Sequence, residues 1–246
     1  MEELTPRQIQ ILKSIVEEYT ETGNAVGSDV IEKKHDIGVS PATIRNEMVV
    51  LTSAGYLRQP HTSAGRIPAP KAIKLYVNQL MEEKELSVAE EVAAKEHMSQ
   101  NKEDFDKLMK GATKALADST HSLAIATTEK GDVWHAGYAN ILDIPEFYNI
   151  DVTSRVLSLL EEARQLHEIF YEHADWQGPI EVLFGEELGW QNFEPVGIVA
   201  YQFNTPGGRG SLGIIGPARF NYPAVVPVVR YFGDLVQEAA GGNEKE

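Results

Sequence analysis

The chain of 246 residues is 42% hydrophobic and 24% charged, a globular composition that excludes a disordered or fibrous protein and leaves room for one large domain or two small ones. It has no cysteine, which excludes disulfides, a thiol nucleophile and any Cys-ligated metal. Its formal net charge of −15 argues against nucleic acid as a partner only if the charge is evenly spread. No apolar run approaches the ~18 residues of a spanning helix, and the polar start Met1-Glu2-Glu3 does not read as a signal peptide, so a soluble, cytoplasmic protein off the membrane is expected.

In chain order, Thr5-Pro6-Arg7-Gln8 is a capping box with proline at the first helical position. Ile9, Leu12, Val16 and Tyr19 follow at helical spacing, which predicts a helix ending near Thr22-Gly23. A second, short helix opens at Ser28-Asp29, turns Val30 and Ile31 inward and ends near Gly38. Ser40-Pro41 caps a third, with Ile44, Met48 and Leu51 on one face and Thr43, Arg45 and Asn46 on another. Residues 56–59 predict a strand, 61–65 a turn and Arg66-Ile67 a return strand, before a helix over about 70–81 carried by Ile73, Val77 and Leu80. Residues 82–118 read as a charged, alanine-rich amphipathic connector. Beyond His121 short strands are predicted over 123–127, 133–138, 180–184, 196–203 and 211–215, with helices over about 152–173 and 222–240. That pattern indicates an α+β sheet domain with its helices on one face. The expected organisation is residues 1–80, a helical connector over 81–118, and a second domain over 119–246.

Three helices followed by a hairpin form, in sequence, a winged helix-turn-helix DNA-binding domain. The charge agrees, because residues 1–80 carry nine Lys/Arg against nine Asp/Glu, and the acidity lies downstream. Within 33–74 there are seven basic residues against two acids, a basic island suited to one confined polyanion. A recognition helix needs short polar and guanidinium side chains near its N-terminus, where base edges come within reach; Thr43, Arg45 and Asn46 supply them. Ser40 and the first amides of that helix suit a phosphate. Arg58 and Arg66 on the hairpin, with His61, Thr62 and Ser63 at its small polar tip, complete the candidate DNA-binding set. The competing reading is a helical subdomain whose charged residues are only solvated.

Several segments resemble the HrcA family of bacterial heat-inducible transcription repressors. They are Leu4-Thr5-Pro6-Arg7-Gln8, the run from Gly38 to Met48, Gly55-Tyr56-Leu57, the run from His61 to Pro68, Asn140-Ile141-Leu142, and Gly213-Ile214-Ile215-Gly216-Pro217 with Arg219. The resemblance implies a GAF-like regulatory and dimerisation domain at the C-terminal end. It further implies a homodimer that binds an inverted-repeat operator and represses chaperone and chaperonin operons at the nucleoid, with the chaperonin as modulator. One departure stands out: the family's usual insertion between the first two strands of the second domain is absent, since 123–127 leads through Glu129-Lys130-Gly131-Asp132 directly to Val133. Two apolar stripes are then left for self-association. One is on the connector (Val88, Val92, Phe105, Leu108, Met109), which is favoured, and the other on the last helix (Val225, Val228, Val229, Phe232, Leu235, Val236).

Enzymatic features are poor. The glycine-rich stretch 205–210 lacks the lysine and Ser/Thr ending of a phosphate loop and reads as a hairpin loop. His167 and His173 do not share a helix face, His121 and His135 have no carboxylate at ligand spacing, and Glu161-Glu162 and Glu186-Glu187 lack contrasting environments. No catalytic residue, metal or cofactor is assigned, and the chain is expected not to be an enzyme. Phe184, Trp190, Phe193, Tyr201 and Phe203 either pack the second core or line a ligand cavity. The latter defines the rival function, a transcription regulator gated by a small molecule.

Overall fold

The computed structural model describes residues 4–99, 104–173, 176 and 178–241. The chain folds into two compact units, one built on the chain up to Glu82 with Asn221–Pro223, the other on Glu83–Phe220 and the chain from Ala224.

In the first unit, α1 (Pro6–Thr22) begins with the expected capping box: Gln8 N donates to Thr5 Oγ1 and Thr5 N to Gln8 Oε1. Its inner face is Ile11, Leu12, Ile15 and Val16, all fully buried. In α2 (Ser28–Lys34) Ile31 is buried but Val30 is exposed, contrary to the expectation that both turn inward. Seven residues make barely two turns, so only one side of the helix finds a neighbour. Gly38, at φ 73°, turns the chain between α2 and the next helix in a left-handed conformation that a Cβ would strain. In α3 (Pro41–Ser53), Ile44, Met48 and Leu51 are buried as the spacing predicts. Strands β1 (Leu57–Arg58) and β2 (Ile67–Pro68) pair antiparallel, and Arg66 pairs in turn with Val26. The helix predicted over 70–81 is α4 (Pro70–Leu75) running into a π-helical turn, Tyr76–Leu80. Ala72, Ile73 and Tyr76 are buried, while Val77 and Leu80 lie half out.

Among the described residues of this unit one carboxylate is buried. Glu18 of α1 accepts from Lys34 Nζ at 2.7 Å, and its other oxygen lies 3.3 Å from His35 Nε2. The link ties α1 to the end of α2. Burial pushes the Glu18 carboxyl up, but the Lys34 and His35 hydrogen bonds outweigh it and hold the group below the usual carboxylate range.

The second unit is a five-stranded antiparallel sheet in the order β4-β3-β7-β6-β5, formed by β3 (Leu123–Thr128), β4 (Val133–Ala136), β5 (Ile180–Phe184), β6 (Val196–Thr205) and β7 (Gly208–Pro217). All six residues of β3 are buried, which overturns the expectation of helices on one face. On one side, Leu123, Ile125, Ile198, Ala200 and Ile215 pack with Val152, Val156, Leu159 and Leu166 of α7 (Ile150–Glu161) and α8 (Ala163–His167). These two helices and a π-turn replace the single helix predicted over 152–173.

The opposite side carries Ala124, Ala126, Trp134 and Tyr201 in register. There Trp134 Nε1 donates to Asp106 and its ring meets Phe105 edge-on, while Tyr201 Oη donates to Asp234 at 2.6 Å. Phe105 and Asp106 open α6 (Phe105–Thr120), and Asp234 lies on a long C-terminal helix, Tyr222–Gly241. The expected connector is therefore two helices, a first one over Val88–Ser99, here α5, and then α6. The alanines of α6 that read as helix propensity, Ala112, Ala115 and Ala117, are buried. Leu108 and Met109 of the proposed self-association stripe are buried within the unit too, and Val88 and Val92 remain exposed. On the C-terminal helix Val229, Phe232 and Val236 are buried while Val225, Val228 and Leu235 lie half out.

Because the folded Glu18 carboxyl is depressed, its contribution to stability is present above its unfolded pKa and is lost as pH falls through the folded one. Glu18→Gln is expected to cost about 1.5–3 kcal/mol, the range for hydrogen bonds to a charged group, at neutral pH. Amide exchange in α1 and α2 measures it, and the difference from wild type should shrink as the solution is acidified through the folded pKa.

Candidate nucleic-acid interface

The outer side of α3 is built by what its inner side buries. With Ile44, Met48 and Leu51 inside, Ala42, Arg45, Asn46, Val49 and Val50 are exposed. Ser40 is the N-cap, its Oγ accepting from Thr43 N and lying 3.1 Å from Thr43 Oγ1, so both hydroxyls serve the cap first. Glu47 is drawn the other way. It accepts from Gln8 Nε2 at 3.0 Å and pairs with Arg7 at 3.5 Å, which takes its negative charge toward the start of α1 and away from Arg45.

Backbone ties the hairpin to the turn before α2. Val26 N donates to Arg66 O and Arg66 N to Val26 O, at 2.8 and 2.9 Å. A Cβ on Gly65 would stand 2.3 Å from Val26 O, so only glycine allows that approach. Arg66, a member of the expected DNA-binding set, turns inward: its Nε donates to Thr52 Oγ1 at 3.0 Å and one terminal nitrogen to Gly65 O. It braces the hairpin against the end of α3. At the tip, Gln59 Nε2 donates to the carbonyls of Thr62 and Ala64, both at 3.0 Å, and His61 Nδ1 lies 3.2 Å from Ser63 Oγ.

Between α3, the hairpin and the start of α2 opens a groove of about 430 Å³. It brings together Arg45, Thr62, Ser63 and Arg66 of the expected set, while Ser40, Thr43, Asn46, Arg58 and His61 lie outside its lining. Asp29 is the carboxylate in its lining. The sequence pattern gives Thr52, Gln59 and Val49 no part in the site. The first two act through partners that only the folded hairpin brings near, whereas Val49 is readable as an apolar residue on the polar face.

In the second unit the aromatic set does not converge. Phe193 and Trp190 join the α7 side of the sheet, while Tyr201, Phe203 and Phe184 alternate to the other side. The stretch 205–210 is the end of β6, the two-residue turn Pro206-Gly207 and the start of β7, closed by Thr205 opposite Gly208. Among the described residues no three His, Asp or Glu side chains are grouped to hold a metal ion, and no helix is long and apolar enough to cross a membrane. The side chain of His173 lies outside the described residues.

The family model described as the HrcA protein C-terminal domain matches residues 42–226. The heat-inducible transcription repressor HrcA of Clostridioides difficile (strain 630) is 46% identical over 127 residues, 52% of this chain and 38% of that protein. That of Thermobifida fusca (strain YX) is 43% identical over 122 residues, 50% of this chain and 35% of that one. The matched stretches thus span less than two-fifths of these relatives' length. The HrcA of Carboxydothermus hydrogenoformans is 25% identical along 96% of this chain and 98% of its own. That alignment runs over 336 positions, more than this chain possesses, so the relative carries residues this chain lacks. A crystal structure of a hypothetical protein, 19% identical, shares the fold with a TM-score of 0.78 over 98% of this chain and all of that one. The family's own model covers well over half of the sequence, and the chain belongs to the HrcA family.

Proposed function

We propose that the chain is a sequence-specific DNA-binding repressor of heat-shock operons, those of chaperones and the chaperonin. The first unit is a winged helix in which α3 is the recognition helix and the β1–β2 hairpin the wing. The second is a GAF-like regulatory and dimerisation domain. The names of the relatives, heat-inducible transcription repressors, support this reading. The observation that carries it is the outer face of α3, where Arg45 and Asn46 stand exposed beside a hairpin fixed across a groove.

A bidentate arginine suits guanine O6 and N7, and asparagine suits adenine N6 and N7. The exposed tip residues His61, Thr62 and Ser63, with Arg58, offer contacts to the sugar-phosphate backbone, which position a protein without reading sequence. One such unit covers too little DNA to select a single genomic site, so two copies acting on an inverted repeat are needed. The chaperonin is the partner that modulates the repressor, in the cytoplasm.

Selection from random duplexes followed by fluorescence anisotropy on the enriched and scrambled sequences tests the assignment. Arg45→Ala and Asn46→Ala are each expected to reduce the preference for the enriched duplex by about 1–3 kcal/mol. Arg66→Ala should weaken both duplexes about equally, because it loosens the wing rather than a base contact. An unchanged preference in Arg45→Ala would refute the assignment of α3.

Binding is also expected to depend steeply on salt in spite of the net charge of −15. If each of two copies neutralises about two phosphates, log affinity should fall against log salt with a slope of roughly −3 to −4. A flat dependence would contradict a phosphate role for the basic island.

A further inference from the structure

Two β-branched apolar side chains lie on the face of α3 assigned to DNA. Val49 is 49% exposed and Val50 is 50% exposed, and Ala42, nearer the start of the helix, is exposed as well. Valine is a modest helix former, and neither residue has a place in the core that Ile44, Met48 and Leu51 make. Val49 lines the groove beside Arg45 and Gln59. We infer that Val49 and Val50, with Ala42, read the 5-methyl groups of thymines next to the bases contacted by Arg45 and Asn46. The inference rests on α3 being the recognition helix, and it adds which base chemistry the rest of that face selects.

The spacing fits. Val49 is four residues from Arg45 and three from Asn46, and Val50 four from Asn46, the separations at which side chains are neighbours on a helix surface. At ~1.5 Å per residue the valines stand ~4.5–6 Å farther along the axis, between one and two base steps of ~3.4 Å. A helix lying along the major groove therefore carries them onto base pairs adjacent to those read by Arg45 and Asn46.

The occupant is fixed by charge and chemistry together. The strip is interrupted by a guanidinium and a carboxamide and sits on the basic island, with the carboxylate of Glu47 drawn off toward Arg7 and Gln8. An apolar protein surface laid on it would bury Arg45 and Asn46 without partners, a costly arrangement. In the major groove the thymine methyl is the apolar feature among donors and acceptors, so valines interleaved with Arg and Asn match a duplex edge.

The test uses the full chain, the duplex enriched from random sequence, and the same duplex with deoxyuridine in place of thymidine, which removes the methyls and keeps the pairing. Wild type is expected to lose about fourfold in affinity per contacted methyl, the worth of one buried carbon. Val49→Ser and Val50→Ser should bind the thymine duplex more weakly and lose their share of the difference between the two duplexes, with circular dichroism unchanged. Equal wild-type affinity for both duplexes, or a difference untouched by either valine variant, overturns the inference alone. Serine variants that bind both duplexes as wild type does but sediment as smaller species assign the strip to a second copy of the chain and likewise overturn it. If no duplex is enriched at all, the DNA-binding reading falls and this inference with it.

Discussion

The pairing of Val26 with Arg66 is the contact on which the candidate site depends. It consists of two backbone hydrogen bonds, and it forms because Gly65 has no side chain to keep the strands apart. It joins the turn before α2 to the hairpin, and the Arg66 side chain then joins the hairpin to Thr52 near the end of α3. Three segments distant in sequence are thereby fixed in one arrangement. The outer face of α3 and the hairpin tip can present a single surface without ordering on contact with a ligand, which spares the conformational cost of binding. On the far side, Glu18 with Lys34 and His35, and Glu47 with Gln8 and Arg7, hold α2 and α3 against α1.

In the second unit the corresponding constraint is the burial of both sheet faces. The two sides of β3 are unlike: Leu123 and Ile125 face the helices α7 and α8, while Ala124 and Ala126 face the side where α6 packs. Small residues on both the strand and α6 permit close packing of helix on sheet, and one polar clasp, Trp134 to Asp106, fixes the helix start. Apolar side chains remain exposed elsewhere in the unit, among them Leu142, Tyr148 and Ile150.

How much of this is legible in the sequence follows from how local each signal is. The Thr5–Gln8 capping box, the Ser40-Pro41 start of α3 and its buried trio lie within single helices, and the structure agrees with them. The tight turn between β6 and β7 is equally local. What fails depends on distant partners. Val30 has the composition of a core residue but no neighbour on its side. For Arg66, expected among the DNA contacts, the sequence does not show that Thr52, fourteen residues earlier, accepts from its Nε. Alanine-rich α6 reads as a connector because alanine reports helix propensity and not burial, and only the sheet beneath reveals its role. Of the two readings of the aromatic set, core packing holds, and strand alternation sends its members to opposite faces of the sheet.

The DNA-binding reading places α3 in the major groove of duplex DNA. Dimethyl sulfate footprinting of the wild-type chain on a selected duplex tests it most directly, since the reagent methylates guanine N7 in the major groove and adenine N3 in the minor groove. Guanine N7 protection is expected at the half-sites, weakened when Arg45 is replaced by alanine. Protection confined to adenine N3, with every guanine N7 left reactive, would contradict it.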